Sequence, residues 1–115
     1  MLLVCYPKCG TCKKAEAWLK ERGLAYDYRD IKTENPSESE LREWYKKSGL
    51  PLKRFFNTSG LAYKSMNLKD RLPSMTEDEQ LALLATDGML VKRPILAGPH
   101  GVLVGFREKE WDAAL

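Results

Sequence analysis

Met1-Leu2-Leu3-Val4-Cys5-Tyr6 is an unbroken apolar run closed by Pro7. That pattern predicts a strand buried on both faces, in a central place of a mixed sheet. Lys8-Cys9-Gly10-Thr11-Cys12 follows as a turn, and Ala15, Trp18 and Leu19 then recur at helical spacing. Lys20 and Arg22 fall in the last turn of this helix, and Gly23 is its stop signal. Tyr26 and Tyr28 alternate with Asp27 and Arg29, which predicts a half-buried second strand. The opening is therefore a βαβ unit of about 30 residues.

The middle of the chain has helical spacing. Asn35-Pro36 and the pair Ser37/Glu40 are start signals, the pair forming a capping box. Leu41, Trp44 and Tyr45 make an apolar face, and Lys46 and Lys47 precede the stop at Gly49. Thr76 and Glu79 repeat the box before Leu81, Leu84 and Ala85, with Gly88 as the stop. Pro51 to Ser74 reads as short helices and turns. Two apolar runs around Gly98-Pro99-His100-Gly101 predict a β-hairpin. Arg107 to Leu115 reads as a closing helix with Trp111 and Leu115 on one face. The predicted order is βαβ, helices, ββα, with no repeat or linker.

Composition narrows the class. At 115 residues the chain predicts one domain, 1–115, and is too short for an eight-fold α/β barrel or a two-half Rossmann domain. Hydrophobic residues at 43% and charged residues at 30% are the balance of a chain that buries a core. No apolar run approaches the ~20 residues of a membrane span, and no leader precedes the first strand, so a cytoplasmic protein is expected. The net charge is +3 with no block of like charges, which argues against a nucleic-acid or polybasic membrane tail. The mild basic excess permits attraction to small anions.

The three cysteines, Cys5, Cys9 and Cys12, all lie in the first twelve residues. An odd, clustered set is not a secreted disulfide framework. Metal binding, redox chemistry or a structural accident are the readings it leaves. For redox chemistry, Cys9 falls at the start of the helix, where the helix dipole and free backbone amides favour a thiolate. Lys8, Lys13 and Lys14 add positive charge nearby. Cys12, one turn further in, is placed to resolve a mixed disulfide formed on Cys9. For metal, the spacing C-x₃-C-x₂-C resembles the cluster motif of radical S-adenosylmethionine enzymes, whose barrels this chain is too short to build. A zinc site would need a fourth ligand, and the lone histidine, His100, reads as an exposed turn residue. Lys13, not histidine, follows Cys12, which excludes a haem attachment motif. Arg93-Pro94-Ile95 reads either as the opening of an edge strand or as a basic residue and a cis proline facing the cysteine turn.

The strand, Pro7-Lys8-Cys9-Gly10-Thr11-Cys12-Lys13-Lys14-Ala15, the helix and the later Arg93-Pro94-Ile95 before a hairpin resemble the ArsC/Spx family. The resemblance implies an α/β thioredoxin-like fold, a βαβ–ββα mixed sheet with a helical insertion at about 33–90. It implies that Cys9 is the catalytic cysteine and that Gly10 and Thr11 turn their amides toward an oxyanion. Arg93 and Arg107 match the family's arginines, and Pro94 its cis proline. Cys12 stands where arsenate reductases carry serine, and Cys5 where some carry a histidine. Their third arginine aligns near Asn57, with Lys53 and Arg54 the closest basic residues. The implied activity is that of a thiol–disulfide oxidoreductase, glutaredoxin-like or arsenate reductase-like. It acts on a thiol, disulfide or oxyanion substrate, with no bound cofactor or metal and with glutathione, glutaredoxin or thioredoxin as electron donor. The alternative it implies is an Spx-like redox-sensing transcription regulator that binds RNA polymerase, through the C-terminal domain of the polymerase α chain. Spx proteins are longer than this chain and end in a charged tail.

Overall fold

The computed structural model describes residues 1–115. Strand β1 (Leu2–Cys5), helix α1 (Gly10–Glu21) and strand β2 (Asp27–Asp30) form the opening βαβ unit. Helices α2 (Glu38–Ser48), α3 (Leu61–Ser65), α4 (Leu68–Arg71) and α5 (Glu77–Leu84) follow, joined by 3₁₀ turns at Leu52–Phe55, Leu72–Ser74 and Gly88–Leu90. Strands β3 (Ile95–Gly98) and β4 (Gly101–Val104) make the hairpin, and α6 (Glu108–Ala114) closes the order. The expected sequence of elements is the observed one.

The four-stranded sheet has the order β2-β1-β3-β4. β1 runs parallel to β2 and antiparallel to β3, pairing Leu3 with both Tyr28 and Leu96. Its central place explains its unbroken apolar run, because successive side chains point to opposite faces and both are covered. Leu3 and Cys5 pack with Ala15, Trp18 and Leu19 of α1 and Trp111 of α6. Val4 joins the larger core formed with the helical insertion, among Leu41, Phe55, Leu84 and Ile95. The sheet is the middle of three layers.

Both capping boxes form. Ser37 accepts from the Glu40 amide at 3.2 Å, and Thr76 accepts from that of Glu79 at 3.1 Å. Gly49 takes the left-handed conformation at φ 66 that ends α2. Arg29 locks the loop between β2 and α2. Its guanidinium binds both Glu40 carboxylate oxygens, at 2.6 and 3.0 Å, and the carbonyls of Glu34 and Asn35.

Four expectations are corrected. β2 lies at the sheet edge, and Tyr28 is 41% exposed rather than half-buried. Gly88 does not stop α5, which ends at Ala85. It is buried against the Ile31 backbone, where a Cβ would meet the Ile31 carbonyl oxygen at 1.7 Å. Leu115 leaves the face of Trp111 and is 40% exposed, because α6 ends before it. Pro94 does not open an edge strand, since β3 lies between β1 and β4. No helix is long and apolar enough to cross a membrane.

Candidate active site

Cys9 is the N-cap of α1, in extended backbone at φ −87 and ψ 121. Its amide donates to the Tyr6 carbonyl at 2.9 Å, which folds the strand-to-helix turn. Its side chain makes no capping bond to a backbone amide of the helix it opens. The amides of Gly10 and Thr11 have no backbone acceptor, as the first donors of a helix do. Gly10 is exposed, with nothing within 4 Å of the place a Cβ would take.

All three cysteines are free thiols. Cys9 is half-buried, whereas Cys5 and Cys12 are 0% and 1% exposed. Because β1 alternates faces, Cys5 points with Leu3 toward α1, where Cys12 is on the inner side. A hydrogen bond from Cys5 lowers the Cys12 pKa, and this outweighs burial, which acts the other way. The Tyr6 backbone, Cys9 and the charge of Arg93 lower it further. Cys5 is pushed in the opposite direction, first by the same bond to Cys12 and then by burial, and keeps its proton.

Cys9 opens on a cleft of about 390 Å³. Thr11, Asn57, Met89, Lys92 and Arg93 are among the residues around it. The Arg93 guanidinium lies 5.3 Å from the centre of the Tyr6 ring. Its Nε and Nη1 atoms are buried and have no hydrogen-bond partner. Leaving such donors unmet is costly. The Arg93–Pro94 bond is cis. Pro94 is buried behind Arg93 and does not line the cleft; its carbonyl accepts from the Gly105 amide at 2.8 Å. The Gly105 carbonyl in turn accepts from the Trp111 indole at 3.0 Å, so α6 is tied to the proline.

Arg93 and Arg107, expected to act together, line different clefts. Arg107 lines a second cleft of about 560 Å³, together with Lys53 and Arg54, and not the Cys9 cleft. Thr11 and Lys92 line both. Asn57, where the third arginine of the reductases aligns, does line the Cys9 cleft. His100 is half-buried rather than exposed, with Nε2 3.1 Å from the Leu96 carbonyl oxygen, because the ring folds back on its own hairpin. No three His, Cys, Asp or Glu side chains converge to hold a metal ion.

Two members of this site were missed by sequence reasoning. Lys92 was legible only as the neighbour of Arg93. Cys5 was readable as a strand residue, and the signal for its second role was the two-residue period that puts it on the face of Leu3.

The ArsC family model matches residues 5–114. This chain belongs to the ArsC family. YusI, an uncharacterised protein of Bacillus subtilis, is 53% identical over 107 residues, covering 93% of this chain and 91% of that one. The global transcriptional regulator Spx of Staphylococcus haemolyticus is 27% identical over 104 residues, covering 90% of this chain and 78% of its own. An ArsC family related protein from Bacteroides fragilis superposes with a TM-score of 0.96 at 51% identity, covering 99% of this chain and 96% of that one. A structure described as a "possible arsenate reductase" from Streptococcus mutans gives 0.87 at 45% identity, covering 96% of both chains. The fold is the thioredoxin-like fold of these ArsC proteins.

Proposed function

We propose that this ArsC family member is a thiol–disulfide oxidoreductase that works through Cys9 and Cys12. The observation that carries the reading is the unequal pair itself. Cys9 opens on a cleft beside a partnerless arginine, and Cys12 is buried behind it with its pKa lowered. Cys9 attacks one sulfur of a substrate disulfide as a thiolate, forming a mixed disulfide and releasing the other sulfur as a thiolate. Cys12 then attacks the Cys9 sulfur and expels the second substrate thiolate. The substrate gains two electrons and the protein keeps a Cys9–Cys12 disulfide. An external thiol donor, such as glutathione, glutaredoxin or thioredoxin, reduces that disulfide and resets the pair.

Arg93 binds an anionic group of the substrate by charge-assisted hydrogen bonds. The amides of Gly10 and Thr11 face the same attack. A disulfide substrate suits the cleft better than arsenate. The resemblance implies three arginines around an oxyanion, whereas Cys9 shares its cleft with Arg93 and Lys92 alone among cations.

Intact mass of the reduced protein after oxidised glutathione tests this, with arsenate plus glutathione and glutaredoxin in parallel. A glutathione adduct that collapses to a Cys9–Cys12 disulfide is expected, with arsenate inert. Arsenate-dependent turnover makes the protein an arsenate reductase. A Cys9→Ser variant that reacts as fast as the parent sinks the mechanism.

The kinship to Spx supports a second reading, in which the same disulfide changes the affinity for RNA polymerase. Pull-down with the C-terminal domain of the polymerase α chain, by reduced and by oxidised protein, decides it. Equal capture in both states, or none, removes this reading.

A further inference from the structure

The second cleft is the larger of the two, and no carboxylate lines it. Lys53, Arg54, Lys92 and Arg107 surround it, with Phe56 and Phe106 as apolar floor. Lys53, Arg54 and Lys92 form no ion pair and no side-chain hydrogen bond, so their charges are not neutralised by a carboxylate of the chain. Arg107 has only Glu110, at 3.6 Å on its own helix. Four like charges held around one opening repel one another, and an anion relieves that repulsion. Four of its 11 lining residues are basic, against 19 Lys and Arg among the 115 residues of the chain.

The cleft continues the one that holds Cys9, because Thr11 and Lys92 stand between them and line both. A ligand whose sulfur meets Cys9 therefore extends past Lys92 into positive potential. Aromatic floor and separate cations suit an extended chain with several side chains.

We infer that the two clefts form one groove for an acidic peptide segment, so that the substrate is a protein whose reactive cysteine is flanked by Asp or Glu. This rests on the oxidoreductase reading for the reaction at Cys9, but the binding can be measured without it. The groove selects among disulfides by charge, and Lys53 and Arg54 contribute selectivity from outside the thiol cleft.

The test uses the full chain and two readouts. The first is fluorescence anisotropy with labelled peptides whose single cysteine is blocked by methylation, flanked by Glu, Gln or Lys. The second is the rate of Cys9 attack on the same sequences with the cysteine left unmethylated and carried as a mixed disulfide, with oxidised glutathione and a neutral small disulfide alongside. The Glu-flanked peptide is expected to bind and react about tenfold or more better than the Gln-flanked one at low salt, with the preference collapsing at high salt. K53Q/R54Q is expected to lose most of that ratio, and K53E/R54E to transfer the preference to the Lys-flanked peptide. Equal binding of Glu- and Gln-flanked peptides overturns the inference, as does a preference that both double variants leave intact. If oxidised glutathione loses as much rate in K53Q/R54Q as the acidic peptide does, the groove serves a small anionic thiol and the peptide assignment falls. Charge-selective binding with no reaction of any disulfide at Cys9 sinks the oxidoreductase reading and leaves the groove standing.

Discussion

Cys5, at the end of β1, is buried in one cluster with Cys12 of α1, and the interaction of the two thiols raises the pKa of Cys5 while lowering that of Cys12. A residue 0% exposed thus bears on the thiol that the proposed mechanism uses for resolution. Cys5→Val removes the donor and fills the space with a side chain of similar size. The apparent pKa of the resolving step is then expected to rise, slowing resolution at neutral pH. Cys5→Ser keeps a donor and is expected to hold the profile closer to the parent. The pH dependence of mixed-disulfide collapse, followed by quenched mass spectrometry, reads both. An unchanged profile in Cys5→Val refutes the coupling.

Arg93 carries two unmet buried donors. Its buried Nε and Nη1 atoms lack partners, so Arg93→Met removes an unmet polar demand and keeps most of the side-chain volume. Thermal midpoint is expected to hold or rise slightly, while reaction with anionic disulfides drops about tenfold or more. Cys12 also loses one of the charges that lower its pKa. A thermal midpoint several degrees lower, with the rate intact, would show that Arg93 serves packing instead.

Glu40 gives the fold an acid limit. Its hydrogen bonds with Arg29 lower its carboxyl to about 2, against burial acting upward, and the Ser37 backbone assists. The folded pKa lies below the unfolded value of about 4.3, so the contribution is full above pH ~4.3. It is lost as pH falls through about 2. The Glu40 side chain is 36% exposed, so screening reduces the energy, and about 1 kcal/mol is the expected scale. Glu40→Gln keeps the capping-box acceptor and loses the charge. Urea titrations between pH 2 and 7 should find the variant less stable at neutral pH and equal to the parent at the acid end.

Two glycines separate crowding from freedom. Gly88→Ala would drive a Cβ into the Ile31 carbonyl and is expected to cost on the order of 4 kcal/mol or prevent folding. Gly10→Ala meets open space and is expected to stay within about 0.5 kcal/mol of the parent. Chemical denaturation of both distinguishes these outcomes.

What was legible in the sequence was local and periodic. The capping boxes at Ser37 and Thr76 declare their helices because the acceptor and the returning Glu lie three residues apart. The apolar run of β1 announces a strand covered on both sides. Gly88 misled because a glycine after a helix reads as a stop, whereas its cause is a backbone 57 residues earlier in the chain, at Ile31. The site behaved alike. Cys9 at the helix start was readable from its own neighbours. That Arg107 and Arg93 line different clefts was not, since it depends on residues as distant in the chain as Lys53 and Arg54.

The bonds from Trp111 to Gly105 and from Gly105 to Pro94 give the C-terminal helix a mechanical role. Two hydrogen bonds separate α6 from the residue next to Arg93, so a displacement of α6 is expected to reach the wall of the thiol cleft. Fusions and affinity tags placed after Leu115 load this linkage. Kinetics from such fusions therefore need checking against protein with the tag removed before any residue is credited with the difference.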